Sequence, residues 1–271
     1  MSWLAGWDYR KSITLSRASG AVTNYQMKLL VGESSGATGE NVDCGGKCLS
    51  TFNDLRFTTS DGTTLLDYWI ESISGTTPNR LATVWIEFDS IGTGDTTFYM
   101  YYGNASASAA SNGANTFPFF DDFERGADGD DVGGDWVISN GSMKISTTHD
   151  IGDAGGFGTR SLKLVGANGA RPYGHAPFTF IDGAHAVRAR YFKPDATSSV
   201  QLSAQVSNSK YASANIDSNE NINWLGAGGV WTDSTHNANA DSWASILELR
   251  ELNASAGTYK VYYNDVLCAT A

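Results

Sequence analysis

Acidic side chains cluster just before the middle of the chain. They lie in a glycine-rich stretch: Asp121, Asp122, Glu124, Asp128, Asp130, Asp131 and Asp135. Ca²⁺ takes about 6–8 oxygen ligands and tolerates irregular geometry, so the stretch predicts a calcium site with Asp122, Glu124 and Asp130 as ligands. The spacing is not that of an EF-hand loop. The alternative is a solvated acidic loop that keeps the protein soluble.

Aromatic residues in polar surroundings are the second group that could do chemistry. Trp224, Trp231 and Trp243 lie in a segment rich in Gly, Asn and Asp, and Tyr211 lies in a similarly polar stretch. An exposed ring stacks on the apolar face of a pyranose while flanking polar groups bind its hydroxyls. We therefore predict that these four residues bind a sugar. The alternative is that they pack in a core or at a sheet edge.

Catalytic signatures are weak. A glycosidase needs two carboxyl groups about 5–9 Å apart. The nearest pair, Glu248 and Glu251, has a spacing that puts the two side chains on opposite faces of a strand. A phosphate loop and a zinc-protease helix motif are both absent from the sequence. We predict that the chain is not an enzyme.

Three cysteines are too few for a disulfide framework. Cys44 and Cys48 flank a short glycine-containing segment, and Cys268 lies near the end of the sequence. The first two either close a small disulfide loop or remain free thiols. A zinc site is disfavoured because the four histidines are scattered.

The elements that must position these residues are strands. Residues 83–88 and 97–102 are β-branched and aromatic runs of strand length, and residues 186–192, 199–206 and 258–263 continue the pattern. Residues 243–251 fit a strand better than a helix, because their apolar residues mostly alternate. Gly-rich turns separate the runs.

The predicted fold is therefore all-β, with two tandem jelly-roll-like β-sandwich domains. Residues 104–115 are small and polar and predict a linker or an extended crossing segment between them. This places the domains at residues 1–115 and 116–271.

Composition narrows the function classes. The 271 residues carry 29 Asp and Glu against 18 Lys and Arg, a net charge of -11, and 12% of them are aromatic. An acidic chain without a basic block does not suit nucleic-acid binding. The sequence lacks the apolar stretch of about 18 residues that membrane insertion by a helix needs. Its aromatic content and modest charge are those of a folded protein rather than a disordered one.

Several motifs in the first half occur in a fixed order. They are Trp7-Asp8-Tyr9-Arg10-Lys11-Ser12-Ile13, Asp54-Leu55-Arg56-Phe57-Thr58, Leu66-Asp67-Tyr68-Trp69-Ile70-Glu71, Val84-Trp85-Ile86 and Tyr101-Tyr102-Gly103-Asn104. Together they resemble an uncharacterised β-domain, a domain of unknown function, of prokaryotic surface proteins and of phage or virus structural proteins. The resemblance covers about residues 3–115 and implies a fold without assigned chemistry.

The second half resembles a concanavalin A-like jelly roll, the fold of lectins and carbohydrate-binding modules. The motifs are Phe119-Phe120-Asp121-Asp122-Phe123-Glu124, Gly134-Asp135-Trp136-Val137-Ile138 and the ending Thr258-Tyr259-Lys260-Val261-Tyr262-Tyr263. The resemblance implies glycan binding and a structural calcium near the first strand. A full jelly roll has further strands after such an ending, so we expect either a fragment of a longer protein or an edge that a partner completes.

We therefore expect a recognition module that binds a glycan or cell-envelope polysaccharide through its second sandwich. The alternative is a structural subunit of a phage tail, capsid or filament that assembles with itself or with neighbouring subunits. A polysaccharide hydrolase is the third hypothesis. The expected location is extracellular, on a cell surface or a virion. The first residues lack the pattern of a secretory signal, so we expect a domain edge there or release by another route such as lysis.

Overall fold

The computed structural model describes most of the first half of the chain and the strands of the second half. The described residues are 2–16, 20–36, 39–148, 158–166, 172–177, 185–190, 200–207, 210–216, 219, 221–225, 231–237, 246–253, 258–263 and 266–270. They form twenty β-strands and one helix of four residues, which confirms the all-β prediction. The chain divides into two compact units, residues 1–178 (unit 1) and 179–271 (unit 2).

Unit 1 contains the first twelve strands. They are β1 (Tyr9–Leu15), β2 (Val22–Gly32), β3 (Val42–Asp43), β4 (Arg56–Thr58), β5 (Leu65–Leu66), β6 (Tyr68–Ser74), β7 (Leu81–Ile91), β8 (Thr96–Tyr102), then α1 (Gly113–Thr116), β9 (Val137–Asn140), β10 (Ser142–Ser146), β11 (Ser161–Val165) and β12 (Tyr173–His175). Two four-stranded sheets, β1-β8-β4-β5 and β3-β2-β7-β6, share one hydrophobic core. We call this pair of sheets the first sandwich.

Strand β7 shows why these residues form a sandwich. Its side chains alternate between the core and the outer face, and Ala82, Val84, Ile86 and Phe88 are the buried set. A strand turns successive side chains to opposite faces, so the sequence pattern selects which face is buried. The register with β2 and β6 then aligns these residues with the core positions of both neighbours.

Strand β8 is buried on both faces. Phe98 and Met100 belong to the core of the first sandwich. On the other face, the Arg10 guanidinium lies 4.4 Å from the ring centre of Trp3 and 4.3 Å from that of Tyr99. The stacked arginine covers the outer face of β8, which explains how a run of aromatic residues is buried on both sides.

Residues 104–112, which precede α1, cross an edge strand and bind it. The backbone N–H of Ile70 donates to Ser111 Oγ at 2.8 Å, and the backbone N–H of Asn112 donates to the Tyr68 carbonyl at 2.8 Å. Both partners lie in β6, an outer strand of its sheet. The segment therefore covers this edge and satisfies part of its backbone.

The chain stays on the first sandwich beyond α1. The ring of Phe120 lies 4.9 Å from the Trp69 ring, and Phe117 contacts both Trp69 and Trp85. Phe120 also covers Gly113, where a Cβ atom would overlap its ring. The predicted boundary between residues 115 and 116 thus falls inside unit 1, and two independent domains divided there stay a prediction.

The rest of unit 1 has a small core of its own. Strands β10 and β11 pair with each other, and so do β9 and β12. Val132, Met143 and Ile145 are buried, with Trp136 and Phe123 packed against them. This cluster supports the acidic loop that runs between residues 121 and 135.

Unit 2 is a second sandwich of two antiparallel four-stranded sheets. Its strands are β13 (His185–Arg190), β14 (Val200–Ser207), β15 (Lys210–Ile216), β16 (Asn221–Leu225), β17 (Trp231–Asn237), β18 (Ile246–Asn253), β19 (Thr258–Tyr263) and β20 (Val266–Thr270). The sheets are β13-β18-β19-β20 and β14-β15-β16-β17. The strand predicted for residues 243–251 is confirmed as β18 from Ile246 onward, and β19 confirms the strand predicted for residues 258–263.

Tyr259 joins the two sheets of unit 2. Leu249 and Val261 from one sheet pack against Ala214 and Ile216 from the other. The Tyr259 hydroxyl reaches across, accepts a bond from the Leu225 backbone N–H at 3.1 Å, and lies 2.6 Å from the Leu225 carbonyl. The hydroxyl is a hydrogen-bond partner for buried backbone groups that would otherwise lack one.

Replacing Gly113 by alanine should destabilise unit 1, because the new Cβ atom would displace the Phe120 ring. We expect a loss of about 1–3 kcal/mol in the free energy of unfolding, measured by urea denaturation. Gly92→Ala is the matched control, since its Cβ would meet open space. Equal stability of the two variants would contradict the packing described for Phe120.

Tyr259→Phe should remove the bridging hydroxyl and leave the Leu225 backbone without its partner. An unsatisfied buried group costs about 1–3 kcal/mol, so the Leu225 amide should exchange with deuterium more than about tenfold faster. Tyr173→Phe, at a side chain that is 58% exposed, should leave this exchange rate unchanged. Wild-type protection of Leu225 in Tyr259→Phe would refute the bridge.

Candidate functional site

Three of the four predicted sugar-binding residues lie in one sheet of unit 2, but the register pairs the position of Trp224 with the core residue Ala214, on the face opposite Trp231. Tyr211 lies in β15, Trp224 in β16 and Trp231 at the start of β17. Trp231 exposes 39% of its surface. The fourth residue, Trp243, lies outside the described residues.

Strand register defines which residues of this sheet face away from the core. Ala204, Ala212 and Ala214 lie in the core of unit 2, so the residues that alternate with them face outward. Cross-strand partners share a face, and the register joins Gln201 to Asn215 and Ser203 to Ser213. We call the outward set the polar face; its members are Gln201, Ser203, Ser213, Asn215, Trp231 and Asp233.

Hydrogen bonds hold the part of the polar face on β14 and β15 in a fixed arrangement. Gln201 Nε2 donates to Ser203 Oγ and to Ser213 Oγ, both at 2.9 Å, and the two hydroxyl oxygens are 2.7 Å apart. Gln201, Ser203 and Asp233 are exposed, whereas Ser213 is buried. The face therefore offers fixed amide and hydroxyl groups, a carboxylate and an exposed indole on one surface, which is the combination that binds sugar hydroxyls and a pyranose face.

The predicted calcium ligands serve separate parts of the acidic loop. Asp122 accepts a bond from the Glu124 backbone N–H, and Asp130 accepts one from the Ala127 backbone N–H at 2.7 Å. Glu124 accepts bonds from the backbone of Thr159 and Arg160. In the part of the chain that the structure describes, no group of three or more His, Cys, Asp or Glu could hold a metal ion. The calcium site stays a prediction, and a calcium-dependent rise in melting temperature would support it.

Asp121 is the carboxylate that sequence reasoning did not single out. Its side chain is 10% exposed and binds the Arg125 guanidinium through two bonds of 2.7 and 2.8 Å. Trp136 Nε1 donates to it at 2.6 Å. Burial raises the pKa of Asp121, but the bonds from Arg125 and Trp136 outweigh burial and hold the pKa below its usual value. The i, i+4 spacing of Asp121 and Arg125 was the available signal.

The cysteines of unit 1 are free thiols in this structure. Cys44 is buried and Cys48 is half-buried. A hydrogen bond with Cys48 raises the pKa of the Cys44 thiol, and burial raises it further. A thiol of raised pKa is a poor nucleophile, and Cys44 lies in the core of the first sandwich.

A serine motif that sequence reasoning missed is Gly32-Glu33-Ser34-Ser35-Gly36. In hydrolases this pattern marks a strand-to-helix turn with an exposed nucleophile. Here Ser34 follows β2, and the next described element is strand β3. The Ser34 hydroxyl donates to the Pro78 carbonyl at 2.6 Å, so it anchors a neighbouring loop.

Comparison with known proteins concerns unit 1. Residues 51–139 match the model of a family described as a domain of unknown function (DUF2341). No curated protein and no solved structure matches the chain. The match confirms the resemblance to an uncharacterised domain for this stretch. It runs from the approach to β4 through α1 and the aromatic segment, so it spans the predicted domain boundary at residue 115.

The described residues also bear on membrane insertion. None of their helices has the length and apolar character that a membrane crossing requires.

Asp121→Asn should lower the free energy of unfolding at pH 7 by about 1.5–3 kcal/mol, the usual worth of hydrogen bonds to a charged group. The folded pKa of Asp121 is lowered, so its contribution is present above the unfolded value of about 3.9 and is lost as pH falls through the folded pKa. The difference from wild type should therefore shrink below about pH 4, measured by urea unfolding at several pH values.

The control for this prediction is Asp131→Asn. The Asp131 side chain is 72% exposed and pairs with Lys144, and such surface pairs contribute about 0–1 kcal/mol. If Asp121→Asn and Asp131→Asn had the same pH profile, Asp121 would not be the anchor of the loop.

Proposed function

We propose that the protein is a non-catalytic recognition module that binds a glycan or polysaccharide through the polar face of unit 2. The observation that carries the proposal is the exposed Trp231 indole on the same sheet face as the Gln201, Ser203 and Ser213 hydrogen-bond network. Recognition of a sugar needs one stacking surface and several directional polar groups. A sheet face supplies both without an enclosed cavity and suits an extended chain of sugar units.

The negative charge of the chain limits the class of glycan that it can bind. Asp233 is exposed on the polar face, and the whole chain carries a net charge of -11. Polyanionic glycans would be repelled by this charge. A neutral or cationic polysaccharide of a cell envelope is therefore the ligand class that we propose, with the protein located on a cell surface or a virion.

The second candidate is a structural subunit, and one observation favours it. Strand β20 lies at the edge of its sheet and exposes Val266 and Leu267, by 55% and 45%. An exposed apolar edge strand can pair with a strand of another chain. Light scattering after size exclusion separates the two functions, because assembly gives concentration-dependent polymers and recognition gives a constant mass.

Trp231→Ala should weaken retention of the bound polysaccharide about twofold to tenfold, because loss of a stacking ring costs about 0.5–1.5 kcal/mol. The measurement is a glycan array with the whole chain, followed by affinity electrophoresis on the polysaccharide that scores highest. Asp233→Asn should also weaken retention, since it removes a charged acceptor.

Tyr173→Ala serves as the control, because it removes an exposed aromatic ring in unit 1, outside the polar face. Retention of wild type on no glycan, or equal losses in Trp231→Ala and Tyr173→Ala, would contradict the proposed function.

A further inference from the structure

Unit 1 contains a cleft lined by aromatic rings and charged groups. Its volume is about 260 Å³, and it lies beside the chain that leaves α1. We call it the aromatic cleft and define it by Phe119, Phe120, Asp135, Trp136 and the Asp121–Arg125 pair. It is separate from the polar face, which belongs to unit 2.

Two rings form a corner in the aromatic cleft. Phe119 and Trp136 have ring centres 6.1 Å apart and planes at 71°. Phe119 is 37% exposed. The hydrogen bond from Trp136 Nε1 to Asp121 fixes the orientation of the indole. Because the acceptor is a carboxylate, this bond also raises the electron density of the indole ring. A fixed, electron-rich ring attracts a cation as well as an apolar sugar face.

The charges around the aromatic cleft are unbalanced. Arg125 is its cation, and Asp121 forms a bidentate pair with it. Hydrogen bonds with Asp121 hold the pKa of Arg125 above its usual value, and the charges of Asp122 and Asp135 add to this effect. Two carboxylates, Asp121 and Asp135, therefore line the aromatic cleft with one guanidinium, which leaves an excess of one negative charge. Asp135 is exposed, and Asp122 lines an adjacent cleft of about 410 Å³.

We propose that the aromatic cleft binds an amino sugar, a hexose whose free amine is protonated. The pyranose face would stack on the Trp136 and Phe119 corner, and the ammonium group would face the Asp135 side, where the negative charge is in excess. A neutral sugar gains the stacking but not the charge, and an anionic sugar is repelled. The inference takes its ligand class, a glycan, from the proposed function and adds a second site on the other unit.

The test is a titration of the ¹⁵N-labelled whole chain followed through the Trp136 indole N–H resonance, which Trp136→Phe assigns. Glucosamine is the ligand, N-acetylglucosamine is its neutral counterpart, and lysine amide is a cation without a pyranose ring. We expect glucosamine to shift the resonance at concentrations at least about fivefold lower than either control ligand. We also expect its binding to weaken at high salt, because screening reduces the attraction of the carboxylates.

Asp135→Asn should weaken glucosamine binding about threefold, the size of effect that one exposed charge pair supports. Asp131→Asn removes another exposed carboxylate, which lies outside the cleft, and should leave binding unchanged. The absence of a shift, equal binding of N-acetylglucosamine or lysine amide, or equal effects of the two variants would overturn the inference.

Failure of this inference is distinguishable from failure of the proposed function. Trp231→Ala alters the polar face alone, so it should leave the glucosamine titration of Trp136 unchanged. If the wild-type chain retains no glycan but its Trp136 resonance still shifts with glucosamine, the polar face is refuted and the aromatic cleft is kept. The reverse result would refute the cleft alone.

Discussion

One nearly buried carboxylate organises the middle of the chain. Asp121 accepts two bonds from Arg125, one from the Trp136 indole and one from the Phe123 backbone. A buried carboxylate is stable only when its oxygens are satisfied by donors. These hydrogen bonds therefore hold the acidic loop between residues 121 and 135 in one conformation, and they fix the positions of the Trp136 ring and of Arg125. The charge and shape of the aromatic cleft follow from this single requirement.

The same segment is attached to the first sandwich by packing. Phe120 lies over Gly113 and against Trp69, and the stretch before it binds the edge strand β6. Composition alone predicts that this part of the chain is a linker. Apolar contacts and hydrogen bonds to an edge strand instead hold it against the first sandwich. The family match to residues 51–139 covers this same continuous piece, so the match and the packing both cross residue 115.

In unit 2, the alternation of side chains along each strand accounts for both the core and the outer face. Alternation places alanine and isoleucine side chains in the core and leaves serine, glutamine and asparagine on the outer face. The outer residues form hydrogen bonds among themselves, as in the Gln201, Ser203 and Ser213 network. The polar face is thus a consequence of the pattern that forms the core, and Trp231 is its exposed apolar element.

The sequence by itself determined the fold class and most strands, because alternation and β-branched or aromatic runs are local properties that strand β7 shows without reference to its neighbours. Only the tertiary structure decided the roles of the carboxylates and the path of residues 104–120. Asp122, Glu124 and Asp130 are close in sequence but accept hydrogen bonds from donors in different parts of the chain. Asp121 gained its role because folding brings Trp136 to it across 15 residues, and no local pattern encodes which donor reaches a buried oxygen.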